Sequence, residues 1–93
     1  MEPLTDPEIE ASLAELAPGW RRDGAKLVRD SELENFAAVI ALVNRIADAA
    51  ERADHHPDLL IHGYRNLRVE LSTHSAGGLT ANDFSLAATI DAL

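Results

Sequence analysis

Residues 35–57, NFAAVIALVNRIADAAERADHHP, decide how the rest of the chain is read. Phe36, Val39, Ile40, Val43, Ile46 or Ala47, and Ala50 recur at the spacing of one helical face. Asn35 can cap the amino end, because its short side chain accepts a hydrogen bond from a backbone N–H that the first turn leaves unpaired. Asn44, Arg45, Asp48, Glu51 and Arg52 fall between the apolar positions, so the helix is amphipathic. Pro57 pushes His56 toward an extended conformation. The helix is therefore expected to end near Asp54, at the His55-His56 pair.

Working outward, Thr5-Asp6-Pro7-Glu8 reads as a helix start, with a capping residue, proline in the first turn and an acid where the helix dipole favours one. Ile9, Leu13 and Leu16 would line one face, and Pro18-Gly19 would end it. Trp20 and Arg22 on one side and Leu27-Val28 on the other flank Asp23-Gly24, a hairpin signal whose second arm is predicted over about 25–33. After the long helix, 58–62 can form a short strand, and Gly63 with Arg65-Asn66 suggests a turn with Tyr64 inside it. Leu67, Val69 and Leu71 alternate with Arg68, Glu70 and Ser72, the period of a strand. Gly77-Gly78 breaks the chain, and Thr80-Ala81-Asn82-Asp83 opens a last helix in a capping-box pattern, with Phe84, Ala87, Ala88 and Ile90 available for the core. The expected class is α+β, in the order α-β-β-α-β-β-α with antiparallel strands, and the whole of 1–93 is read as a single domain.

The chain has 93 residues, 46% of them hydrophobic and 26% charged, as in ordinary globular domains. A chain this short buries roughly 60–65% of its extended surface, so the core is thin and association would help it. Sixteen acids against eight Lys and Arg give a net charge of −8, which argues against nucleic acid as a direct partner. There is no cysteine, hence no disulfide framework and no thiol nucleophile. Met1-Glu2-Pro3-Leu4 lacks the basic and apolar regions of a signal peptide, and the longest apolar run, 36–43, is far short of a membrane span. A cytoplasmic location without membrane contact is expected.

Three of the four histidines, His55, His56 and His74, stand at expected element ends within 51–83, with Glu51 at one end of this run and Asp83 at the other. Histidine alone titrates near neutral pH unperturbed, so such a set can supply proton donors and acceptors there. Site residues are common at such positions. Each could equally be a helix-end residue touching carbonyls. Metal binding has little support: adjacent histidines rarely point the same way, and no His-x3-His face or thiolate adds ligands. Ser72 and Ser75 flank His74 without a nucleophile elbow.

The run Glu51-x3-His55-His56-Pro57-x6-Tyr64-x9-His74-x8-Asp83 resembles the signature of the pterin-4a-carbinolamine dehydratases. The resemblance extends over nearly the whole chain, through Gly19-Trp20, Asp23-Gly24, Val43-Asn44-Arg45, Leu71-Ser72-Thr73-His74, Gly77-Gly78-Leu79 and Asp83-Phe84. Leu59 departs from it, standing where many relatives carry a bulky aromatic. The resemblance implies a four-stranded antiparallel sheet with three helices packed on one face, and a homodimer or homotetramer. It implies a hydro-lyase that eliminates water from a 4a-hydroxytetrahydropterin to give the quinonoid dihydropterin, with no cofactor and no metal. By position, His55, His56 and His74 would be catalytic, and Glu51, Pro57 and Asp83 would bind or orient the substrate. It also leaves open a non-catalytic protein-binding role, as a transcriptional dimerisation cofactor or Rubisco assembly factor.

Overall fold

Two hairpins meet side by side to form the sheet. The computed structural model describes residues 2–93; Met1, part of the amino-terminal stretch considered for a leader, lies outside them. The order is α1 (Asp6–Ala14), β1 (Trp20–Asp23), β2 (Lys26–Glu32), α2 (Phe36–Ala53), β3 (Asp58–His62), β4 (Asn66–Leu71) and α3 (Ala81–Asp91), with a short 3-10 turn at His74–Ala76 before α3. Each strand pair is antiparallel, and the sheet order is β1-β2-β4-β3. The α+β architecture read from the sequence is the one observed.

Alternation sorts the strand residues onto two faces. Leu27, Leu67, Val69 and Leu71 turn inward and form one buried cluster with Ile9 of α1, Val39, Ile46, Ala49 and Ala50 of α2, and Phe84, Leu86, Ala87 and Ile90 of α3. All three helices thus cover the same face. The other face carries cross-strand ion pairs, Arg21 and Arg68 to Asp30 and Lys26 to Glu70. Hydrogen bonding from Arg68 is the main cause that holds the Asp30 carboxyl below its ordinary value, against a small cost of burial, with Arg21 assisting. Val28 also lies on this face yet is 1% exposed. Its cross-strand neighbours are Arg21 and Glu70, long side chains whose stems can cover apolar surface.

Local chemistry sets the boundaries. Thr5 and Glu8 cap α1 reciprocally, and the Asn35 side chain accepts the Ala38 N–H at 2.8 Å to start α2. The first hairpin turns through Gly24 and Ala25, with Gly24 at φ +59 and Asp23 still paired to Lys26. Helix α1 ends at Ala14, before Pro18, because the chain after it folds back: Glu15 and Leu16 donate to Ser12 and Leu13 in tight turns.

Not every apolar residue of the helical pattern is buried. Phe36 is 51% and Ile40 37% exposed, and Ala47 and Ala88 also face solvent. The apolar stripe of α2 is wider than the strip of sheet beneath it. Val39, Ile46, Ala49 and Ala50 use the space, and the edge of the stripe is left uncovered. Among the described residues no helix is long and apolar enough to cross a membrane.

The end of α2 controls where the histidines go. Asp54 adopts the left-handed conformation, φ 49 and ψ 43. Its N–H donates to Glu51 O and that of His55 to Ala50 O at 3.1 Å, the paired bonds that close a helix when the next residue is left-handed. A β-branched side chain resists that conformation by about 1–2 kcal/mol, whereas glycine adopts it freely. Asp54→Val should lower unfolding free energy in urea titration by about that amount, and Asp54→Gly should stay within a few tenths of a kcal/mol of the parent.

Candidate active site

Asp83 is the third residue of α3 and has no exposed surface. Its Oδ2 accepts the Thr80 backbone N–H at 2.9 Å, completing the capping box, and the Thr73 hydroxyl at 2.8 Å. Its Oδ1 lies 2.6 Å from His55 Nε2. The partners of this carboxylate are two fixed donors, one imidazole and the positive end of a helix, the set that a buried acid requires. His55 is itself largely covered, its side chain 13% exposed. Its Nδ1 has no hydrogen-bond partner among the described residues, and no buried side-chain nitrogen or oxygen is left unpaired, so Nδ1 reaches solvent.

His56, the next residue, takes the opposite course. Its Nε2 lies 2.7 Å from Glu51 Oε2, and both side chains are well exposed, 59% and 77%. His56, Glu51 and Pro57 line one concavity of about 210 Å³ together with Ile46, Ala47, Ala50 and Leu59. His74 starts the 3-10 turn and is exposed. It lines a different concavity, about 220 Å³, with Ala25, Lys26, Ser72, Thr73, Gly77 and Gly78. A bridge from Thr73 to Gly78 closes the loop that carries His74. Glu70 accepts a hydrogen bond from Lys26 and so raises the ammonium above its ordinary value, which keeps a positive charge on that rim.

Neither concavity is lined by all three histidines. His55 links them: it adjoins His56 in the chain, and through Asp83 it is bonded to Thr73, a wall of the concavity that holds His74. Tyr64 stands apart in the β3–β4 turn, 62% exposed with φ 55. His62 lies on the open sheet face beside Asp30, Asn66 and Arg68. Among the described residues no three His, Asp or Glu side chains are grouped as a metal ion would need. Sequence reasoning passed over Thr73 and singled out Thr80 only as part of a cap; both are buried and both bond Asp83. The signal was present in a polar threonine two residues past β4, at the next inward position of the alternating series Leu67, Val69 and Leu71.

Asp83 and Glu51 each meet a histidine, yet burial separates them energetically. Removing the Asp83 carboxylate strands two donors and an imidazole in the interior, which costs about 2–4 kcal/mol. An exposed pair contributes little. Asp83→Ala should therefore show a loss of that size in urea unfolding, and Glu51→Gln should be indistinguishable from the parent.

The family of pterin 4 alpha carbinolamine dehydratases matches over residues 2–93. A Nocardia farcinica protein carrying the name "putative pterin-4-alpha-carbinolamine dehydratase" is 51% identical over 92 residues, 99% of this chain and 95% of that one. A Picosynechococcus protein of the same name is 47% identical, covering 97% of this chain and 96% of its own. Among solved structures, a "transcriptional coactivator/pterin dehydratase" from Brucella melitensis superimposes with TM-score 0.91 at 29% identity, over 98% of this chain and 97% of that one. A pterin dehydratase-like protein described as a RuBisCO assembly factor in the alpha-carboxysome shares the fold, with TM-score 0.62 and 19% identity over 78% of this chain and 83% of its own.

Proposed function

The chain belongs to the pterin 4 alpha carbinolamine dehydratase family, and we propose that it is an active hydro-lyase acting on a 4a-hydroxytetrahydropterin in the cytoplasm. In the reaction the C4a–O bond breaks, the hydroxyl leaves with a proton as water, N5 gives up its proton, and a C4a–N5 double bond forms. The oxidation level does not change, so the reading calls for no redox cofactor, and imidazoles can carry both proton transfers without a metal. A chain with no cysteine suits the reducing cytoplasm.

The observation that carries the reading is the His55–Asp83 pair. A carboxylate bonded to one ring nitrogen stabilises the imidazolium that forms when the other nitrogen takes a proton. His55 Nδ1, open to solvent, is accordingly the proposed base for N5. His74 has no hydrogen-bond partner for its ring among the described residues and is free to serve the departing hydroxyl. His56, braced by Glu51, is assigned to holding the pterin, with Pro57 fixing the turn of the backbone there. A positioned general acid or base contributes roughly 10²–10⁴ in rate. His55→Ala and His74→Ala should each lose turnover of 4a-hydroxytetrahydropterin by about that factor while keeping the parent circular dichroism spectrum. Parent-like turnover in both folded variants would overturn the assignment.

A second reading, protein binding on the same fold, draws support from the uncovered stripe of α2. Phe36, Ile40 and Ala47 are exposed apolar residues at helical spacing on a thin-cored chain. We assign this stripe to self-association into a homodimer or homotetramer, on which binding of another protein could be superimposed. Light scattering after gel filtration should give a multiple of the chain mass for the parent. Phe36→Glu with Ile40→Glu should shift it toward the monomer, and a parent that runs as a monomer at micromolar concentration rules the stripe out as a self-association surface.

A further inference from the structure

The hydrogen bonds behind His55 run in one direction only. The Asn82 N–H donates to Thr80 Oγ1 at 3.3 Å. Thr73 Oγ1 donates to Asp83 Oδ2 at 2.8 Å, and a hydroxyl has one proton to give. The 2.9 Å contact between the two threonine hydroxyls must then be donated by Thr80 and accepted by Thr73. With the Thr80 N–H also on Oδ2, both donors fall on the same carboxylate oxygen. Oδ1 is left to His55 alone, at 2.6 Å. All three side chains of the chain are buried, Thr73 at 9% and Thr80 and Asp83 at 0% exposed, so water does not compete for them.

We infer that Thr73 and Thr80 are positioning residues: their hydroxyls form a one-way relay that fixes the Asp83 carboxylate as acceptor and thereby sets the tautomer of His55, proton on Nε2 and lone pair on Nδ1. Without the Thr73 donor, Oδ2 loses one of its two anchors, and the carboxylate is free to turn about its Cβ–Cγ bond. The ring then has no fixed reason to carry its proton on Nε2. Tautomer control of this kind is what a buried carboxylate supplies behind a catalytic histidine. Valine in place of Thr73 matches its shape and removes only the hydroxyl chemistry; serine restores it.

The consequence for turnover rests on the dehydratase reading above, whereas the tautomer does not, and the two are read separately. In 15N-imidazole NMR of the full chain at a pH where the ring is neutral, parent His55 should have a protonated Nε2 and an unprotonated Nδ1. Thr73→Val should replace this pattern with an average of both tautomers and lower kcat about tenfold, part of the roughly 10²–10⁴ that a well-placed base is worth. Thr73→Ser should bring back the parent pattern and most of the rate. A purely structural role for Thr73 would lower the unfolding midpoint and leave the ring signals alone. The inference fails if parent His55 carries its proton on Nδ1, a result that needs no variant to fold. It also fails if folded Thr73→Val keeps the parent ring pattern. If the ring pattern responds as expected in a protein that turns over no pterin, the relay stands and the dehydratase reading falls.

Discussion

A carboxylate with no exposed surface has to be met on every side by donors, and Asp83 is where this fold meets that demand. The solution uses three separate parts of the chain: the first turn of α3, the threonine that follows β4, and the histidine that follows α2. These segments come together only if the β3–β4 hairpin lies under α2 and α3 in the register observed. Fixing the acid therefore fixes the relation between the sheet and two of its helices. It also anchors the start of α3, which contributes Phe84, Leu86, Ala87 and Ile90 to a core that is thin for lack of residues.

The elements were legible in the sequence because short-range chemistry writes them. Thr5 with Glu8, Asn35, and Thr80 with Asp83 each act on a backbone N–H within three residues, so their signals survive in one dimension. The order of the strands was not legible in that way. Pairing β2 with β4 brings residues about forty apart into register, Leu27 with Leu71 and Ser31 with Leu67, and no local spacing encodes it. The exposure of Phe36 and Ile40 escaped for a related reason. Periodicity says which residues share a face of α2, but the width of sheet under that face is a tertiary quantity.

The histidine pair makes the same point more sharply. His55 and His56 are identical and adjacent, and each is offered a carboxylate, yet one pair is buried and the other lies in solvent. Two backbone facts separate them. Asp54 in the left-handed region swings the chain off the helix axis and carries His55 inward, and Pro57 then holds His56 extended, so its side chain leaves on the other side. Sequence alone singled out both histidines and both acids, while the choice of which acid meets which ring depended on a single positive φ at a non-glycine position.

Because one carboxylate caps a helix, ties down a strand end and backs an imidazole, stability and chemistry are coupled at this position. Replacing Asp83 by a residue that only caps, such as asparagine, keeps an oxygen for the backbone and puts an NH2 where His55 or the threonine hydroxyl needs an acceptor. Whichever way the amide turns, one donor faces another or the ring must change tautomer. Glutamate can cap from this position, as Glu8 does in α1, but its extra methylene would displace the carboxylate from the point where Thr73 and His55 meet it. The geometry thus leaves aspartate as the residue that serves the helix, the hydroxyls and the imidazole together.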